Sequence, residues 1–152
     1  MLEAAAGRSR ERSVAAPKIL MLLRGIMPKQ IVVIQDEPAI RNMVAEVLAD
    51  EGYLVRTAAT IEEGMALLPT FRPQLILCDL LLPPRTGREF YDRLMKDPWV
   101  ADIPIVFMTA LLPGDADRRL IGDIQHVPVI YKPISIPELL TVVEMFIAPT
   151  DS

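Results

Sequence analysis

From residue 30 onward, short apolar runs alternate with stretches of helical periodicity five times. Ile31-Val32-Val33-Ile34 predicts a strand over 31–35. Pro38 then stands where a first helical turn tolerates it, Ile40, Val44, Val47 and Leu48 follow at helical spacing, and Gly52 supplies a stop. A second strand is predicted over 53–58. Thr60-Ile61-Glu62-Glu63 has capping-box spacing and opens a short helix ending near Pro69. Leu75-Ile76-Leu77-Cys78 predicts a third strand over 75–79, continuously apolar as expected when both faces are covered. Pro83-Pro84-Arg85-Thr86-Gly87 reads as a turn, and Phe90, Tyr91, Leu94 and Met95 mark the next helix. A strand over 103–109, a weak helix over 115–121 and a strand over 127–131 follow. Ser135-Ile136-Pro137-Glu138 has capping-box spacing again and opens a final helix to residue 147.

Strands alternating with helices imply a parallel sheet with right-handed crossovers. Five such units fit a flavodoxin-like, doubly wound α/β fold: a five-stranded parallel sheet of order 2-1-3-4-5 with helices on both faces.

Composition narrows the function classes. A chain of 152 residues, 51% apolar and 24% charged, is expected to form one domain with a substantial core. A formal charge of −4 offers no basic footprint and disfavours direct nucleic-acid binding. The single cysteine, Cys78, excludes an internal disulfide and a multi-cysteine metal site. The single histidine, His126, leaves little for a zinc site or a histidine-based hydrolase. No apolar run approaches the roughly 20 residues needed to span a bilayer, so a cytoplasmic protein without a membrane span is expected. Residues 1–26 differ from the rest, with Arg8, Arg10 and Arg12 followed by Ile19-Leu20-Met21-Leu22-Leu23 and then Arg24. A signal peptide is disfavoured: the apolar stretch is short, Arg24 interrupts it, and no small-residue cleavage site follows. The expectation is a loosely ordered N-terminal extension over 1–26, or a natural start at Met27, ahead of a domain over 27–152. The other reading is an apolar segment used for contact with a partner.

Polar groups close the apolar runs. Asp79 ends the third strand, Asp36-Glu37 follows the first, Thr109-Ala110 the fourth and Lys132-Pro133 the fifth. In open α/β sheets ligands bind outside the carboxyl ends of the strands, so Asp36, Asp79, Thr109 and Lys132 are expected to meet in one pocket. Each has a plainer reading alone: Asp36 as a helix N-cap, Asp79 as a cap or turn former, Thr109 as an ordinary strand residue, Lys132 as a solvated charge. Cys78 reads as a small buried apolar residue, His126 as a loop residue and Trp99 as packing under a loop.

From residue 30 to residue 148 the chain resembles the receiver domain of bacterial two-component response regulators, of the single-domain chemotaxis-regulator kind. The matching segments are Ile31-Val-Val-Ile-Gln-Asp-Glu-Pro38, Leu75-Ile-Leu-Cys-Asp-Leu-Leu-Leu-Pro83 with Gly87, Ile103-Pro-Ile-Val-Phe-Met-Thr-Ala110 and Tyr131-Lys-Pro133. The resemblance implies that Asp79 is the phosphoacceptor, taking its phosphoryl group from a phosphohistidine on a partner kinase. It implies Mg²⁺ held by Asp36, Asp79 and the backbone carbonyl of Leu81, with Thr109 bonding the incoming phosphoryl group and Lys132 pairing with Asp79 or a phosphoryl oxygen. It also implies a cis Lys132-Pro133 bond. These residue types suit the chemistry. A carboxylate forms an acyl phosphate, Mg²⁺ takes hard oxygens, and phosphoryl transfer needs positioning and charge neutralisation more than covalent help.

Three positions depart from the family pattern. Gln35 stands where the family usually carries an acid and keeps only a carbonyl oxygen for the metal or its water. At about 5–6 Å and an effective dielectric near 20, the lost carboxylate removes roughly 3 kcal/mol of attraction before solvent relaxation. Weaker Mg²⁺ binding is therefore expected, and Glu37 is expected to point away by strand alternation. Val129 stands where many receivers carry a signalling aromatic, while Tyr131 abuts Lys132. Leu81 and Leu111 replace side chains that position attacking water, so a long-lived acyl phosphate is expected.

The leading expectation is a single-domain response regulator with a sensor histidine kinase or phosphotransfer protein upstream and a protein target downstream. A phosphorylation-dependent dimer stays open. Phosphorylation would shift a two-state equilibrium read by a partner. The resemblance places the partner face on the helix carrying Arg118-Arg119, the fifth strand and the final helix. The alternative is a pseudo-receiver, a binding module that takes no phosphate. An aspartyl-phosphate hydrolase is disfavoured, because Leu81 stands where those enzymes need a second acid.

Overall fold

The computed structural model describes residues 28–112, 114, 120–124 and 126–147. Five short apolar segments form one parallel sheet: β1 Gln30–Ile34, β2 Leu54–Ala58, β3 Leu75–Asp79, β6 Ile105–Thr109 and β7 Val129–Tyr131. Their spatial order is β2-β1-β3-β6-β7, the flavodoxin-like order expected. All four pairings are parallel. A second, two-stranded antiparallel pair, β4 Leu81–Leu82 and β5 Arg85–Thr86, flanks Pro83-Pro84, which form a turn as expected.

Alternation along the strands builds two cores. Val32, Ile34, Ile76, Cys78 and Phe107 face one layer, which α2 (Ile61–Leu67) and α3 (Gly87–Met95) cover with Ile61, Phe90, Tyr91 and Leu94. Ile31, Val33, Leu75, Leu77, Val106 and Met108 face the other, covered by α1 (Pro38–Asp50) and α4 (Ile136–Phe146) with Val44, Leu48, Leu139 and Val143. The central strands β3 and β6 are buried at all ten positions, which is why they read as unbroken apolar runs. Burial on both faces fixes register, and register fixes which residues emerge at the strand ends.

Several boundaries differ from expectation for local reasons. Strands read as starting at 103 and 127 begin at Ile105 and Val129, directly after Pro104 and Pro128. Those prolines accept from Ile76 N and Phe107 N (both 3.0 Å) but have no N–H to donate. The helix read from Phe90 begins at Gly87. Its start is set by a full capping box, Thr86 Oγ1 accepting from Glu89 N (3.3 Å) and Glu89 Oε1 from Thr86 N (3.0 Å). At the two expected boxes only the forward bond forms, Thr60 Oγ1 accepting from Glu63 N (3.1 Å) and Ser135 Oγ from Glu138 N (3.3 Å). Glu63 instead accepts from Ala59 N (2.8 Å). Trp99 does not pack under a loop: it is 67% exposed, with the Arg72 guanidinium 5.4 Å from its ring centre. The expected 1–26 extension and the Arg118-Arg119 pair lie outside the described residues. Of the expected 115–121 helix only residues 120 and 121 are described, both helical. Among the described residues no helix is long and apolar enough to cross a membrane.

Candidate functional site

Asp79 is the last residue of a central strand, so its side chain emerges where the two cores end. Register brings its neighbours beside it. Ile34 is opposite Cys78, so the next residues, Gln35 and Asp79, stand side by side on adjacent strands. On the other side Asp79 is opposite Met108, and Thr109 follows. Thr109 pairs with Tyr131, and Lys132 N donates to Thr109 O (2.7 Å). Of the four residues expected to meet in one pocket, strand length and register bring Asp79, Thr109 and Lys132 to one sheet edge, while Asp36 is exposed at the tip after β1.

The charged centre is an ion pair. Lys132 Nζ donates to Asp79 Oδ2 at 2.6 Å, with side chains only 10% and 5% exposed. Asp79 Oδ1 accepts from Leu81 N at 3.1 Å. Both carboxylate oxygens are therefore held, one by charge and one by backbone. Thr109 is fully buried, and its Oγ1 accepts from Leu111 N (3.0 Å), which leaves its hydroxyl hydrogen available to donate. The Lys132–Pro133 peptide is cis, as the resemblance implied, and so is Pro83–Pro84. Leu81 presents a side chain that is 39% exposed beside the carboxylate, and Leu111 is half-buried.

Glu37 corrects an expectation. It reaches into the site, with Oε1 3.5 Å from Lys132 Nζ. Strand alternation does not carry to Glu37 because β1 ends at Ile34 and Glu37 is the N-cap of α1. Pro38 at the first helical position was the available signal. The cap assigned to Asp36 in its plainer reading thus falls to Glu37, and no side chain bonds the first turn there.

Gln35 is fully buried, and its Oε1 accepts from Glu37 N (3.1 Å). Its Nε2 has no partner among the described residues. Arg41 ties down the same turn, Nη1 donating to Gln35 O (2.9 Å) and Asp36 O (3.4 Å). Asp36 itself is exposed at the tip. Cys78, one residue before Asp79, is fully buried, and burial pushes its thiol pKa well up, with the Asp79 charge adding to the effect. It is a packing residue, as expected.

Among the described residues no three His, Cys, Asp or Glu side chains form a ready metal cage. The donors fit a sparser arrangement. Mg²⁺ is commonly held by one or two carboxylates, with water and phosphate oxygens completing its shell. Asp36, Asp79 and the Leu81 carbonyl are hard oxygens of that kind. The oxygen of Gln35 already carries a hydrogen bond, and what the side chain has free is a donor.

Comparison with known proteins agrees with this geometry. The family model described as the response regulator receiver domain matches residues 31–144. The chain is 36% identical over 126 residues to the DNA-binding dual master transcriptional regulator RpaA of Synechocystis, covering 82% of this chain and 51% of that protein. It is 35% identical over 113 residues to the phosphate regulon transcriptional regulatory protein PhoB of Pseudomonas aeruginosa, covering 74% and 48%. The chain therefore spans about half the length of these curated relatives. The chemotaxis response regulator CheY4 of Vibrio cholerae superimposes with a TM-score of 0.71 at 25% identity, covering 80% of this chain and all of that one. The non-phosphorylated HemR receiver domain of Leptospira biflexa gives 0.68 at 27% identity, covering 79% and 94%. Its strand order, its buried strand-end aspartate and the lysine paired with it agree with this match, and the chain belongs to the response regulator receiver domain family.

Proposed function

We propose that this chain accepts a phosphoryl group on Asp79 from the phosphohistidine of a sensor kinase or phosphotransfer protein, and signals through protein–protein contact. The observation that carries the reading is the buried Asp79–Lys132 pair at 2.6 Å, flanked by Thr109. An Asp79 carboxylate oxygen forms the new O–P bond as the P–N bond breaks, and the leaving imidazole nitrogen keeps the electron pair. Lys132, a compact cation with three donors, can turn from Asp79 to a phosphoryl oxygen. The free hydrogen of Thr109 donates to a second oxygen. Because Lys132 N is bonded to Thr109 O, displacement of one is felt by the other. Bound at Asp36, Asp79 and the Leu81 carbonyl, Mg²⁺ would neutralise charge on the transferring group. Leu81 and Leu111 offer no side-chain group to orient water, which supports a long-lived acyl phosphate. The relatives RpaA and PhoB are named as transcriptional regulators. For this chain the downstream target is read as a protein, and a phosphorylation-dependent dimer is one form that contact can take.

The test is intact mass after incubation with a small-molecule phosphodonor, with and without Mg²⁺, for wild type and Asp79→Ala. A Mg²⁺-dependent gain of one phosphoryl group, absent from Asp79→Ala, is expected. No gain at millimolar Mg²⁺ would favour the second reading, a pseudo-receiver that binds partners without phosphate. That reading draws support from Gln35, which replaces the family's acid with a neutral amide.

A further inference from the structure

Gln35 carries the one buried side-chain polar atom left without a partner among the described residues, its Nε2. Buried donors are nearly always paired, and one left unpaired is unfavourable. The amide is not free to turn outward. Its Oε1 is held by Glu37 N at 3.1 Å, and its own backbone N donates to Ala58 O at 3.0 Å. Glu37, two residues on in that turn, contacts Lys132, which holds Asp79. By register, Gln35 stands beside Asp79 one step past the Ile34–Cys78 pair of β1 and β3, about 5 Å away across the ladder. A buried side chain with a free donor therefore stands on the strand beside the phosphoacceptor, whose two oxygens are already bonded by Lys132 and Leu81 N. A phosphoryl group on Asp79 would bring three new acceptor oxygens to this place.

We infer that Gln35 is a phosphoryl-binding residue: its Nε2–H donates to a phosphoryl oxygen on Asp79. This deepens the reading of Asp79 as phosphoacceptor and rests on it. The amide thereby does a different job from the acid the family usually carries. A carboxylate there attracts a cation and repels a phosphoryl dianion, whereas a neutral donor attracts the dianion directly. Gln35 then acts on the phosphoryl group and not on Mg²⁺. The consequence is a site that binds Mg²⁺ less tightly yet holds the phosphoryl group with an added donor.

The experiment compares wild type, Gln35→Met and Gln35→Glu. Methionine keeps the length and removes the donor without adding charge, and glutamate adds a charge. Phosphorylation by phosphoramidate is followed by intact mass at saturating Mg²⁺, and Mg²⁺ affinity is measured separately by calorimetry. Gln35→Met should slow phosphorylation about tenfold at saturating Mg²⁺, the effect of one lost hydrogen bond to a charged group. Its Mg²⁺ affinity should change less than twofold. Gln35→Glu should bind Mg²⁺ more tightly yet phosphorylate more slowly than wild type at saturating Mg²⁺. In isotopically labelled wild type, the Gln35 side-chain amide protons should move downfield on phosphorylation. An effect of Gln35→Met that saturating Mg²⁺ abolishes would overturn the inference, because Gln35 would then be serving the metal. An amide resonance unmoved by phosphorylation would also overturn it, and that measurement needs no variant to fold. No phosphorylation of the wild type at saturating Mg²⁺ would instead overturn the underlying reading of Asp79, and the inference with it.

Discussion

Gly87 offers the sharpest test of how the fold holds Asp79. It opens α3, its N donates to Leu80 O at 2.8 Å, and it sits against the backbone that follows Asp79. A Cβ built on Gly87 would lie 2.4 Å from Asp79 O, 3.2 Å from Leu80 Cα and 3.2 Å from Phe107 Cε1. Real Cβ contacts essentially never fall below 3.0 Å, so Gly87→Ala must open the Asp79 contact by at least 0.6 Å, the difference between 3.0 and 2.4 Å. Two of the three neighbours are backbone, and Phe107 is fully buried, so no flexible end absorbs the shift. Overpacking of this kind costs about 1–3 kcal/mol. Alanine's better helix propensity returns at most about 1 kcal/mol. The expected net loss is about 1–2 kcal/mol, or roughly 4–8 °C in melting temperature for a domain of this size. Gly64→Ala is the control. There the new Cβ meets Ile34 Cδ1 at 2.6 Å and Ile34 Cγ1 at 3.2 Å, both side-chain atoms, and the residue lies inside α2. Its penalty should be partly cancelled by propensity, leaving it within about 1 kcal/mol of wild type. Urea unfolding of both variants, with phosphoryl acceptance measured alongside, checks the argument. Gly87→Ala should lose both stability and acceptance. A Gly87→Ala protein with the wild-type midpoint, or one that accepts phosphate normally despite destabilisation, would refute the claim that this contact places Asp79.

Further outcomes follow from the same geometry. Lys132→Met should cost about 3 kcal/mol in urea unfolding, because it leaves a buried carboxylate without its cation, and adding Asp79→Asn should recover most of the loss. If the two changes simply add, the pair is not coupled as its 2.6 Å separation requires. Cys78, fully buried with its thiol pKa raised, should resist thiol reagents in the native protein and react only on unfolding, at a rate that tracks urea concentration. Arg88 spans from α3 to the segment after residue 119, bonding Leu120 O (3.1 Å), Asp123 (2.6 and 3.1 Å) and Asp92 (2.9 Å). Arg88→Met should speed amide exchange at Ile124 and Val127 about tenfold, consistent with the loss of a charge-assisted fork. The bond to Arg88 lowers the Asp123 pKa below its usual 3.8, so this clamp's contribution is present above that value and fades as pH falls through the lowered one. Exchange measured from pH 5 downward should show the segment loosening only in strong acid, and Asp123→Asn should remove the transition.

The fold was legible because burial on both faces writes itself as unbroken apolar strands, Leu75 to Cys78 above all. The gathering of Asp79, Thr109 and Lys132 was legible because these residues close those strands. What escaped the sequence lay where one local rule hands over to another. Alternation predicted that Glu37 points away, but the strand stops at Ile34 and a helix cap begins, so the carboxylate swings to Lys132. Thr86 and Glu89 carried capping-box spacing inside a segment whose prolines read as a turn, and the box won. Pro104 and Pro128 shortened two strands through a missing donor that apolar periodicity does not register. The unpartnered nitrogen of Gln35 depends on which way one amide faces, and spacing holds no information about that.

Lys132 reaches Asp79 from just past β7, a strand of three residues at the margin of the sheet that pairs only with β6 among the described strands. Marginal strands fray first, opening at a fraction of the global unfolding free energy. A fraying event there would withdraw the lysine and leave Asp79 with only its backbone bond from Leu81 N, so the pairing of charges in the pocket would follow the sheet margin. A phosphoryl group that engages Lys132 would bind only the closed form and so pin that margin. Signal and edge stability would then be two readings of one equilibrium: phosphorylation should quiet the fringe of the sheet, and a partner that stiffens β7 from outside should make Asp79 a better acceptor.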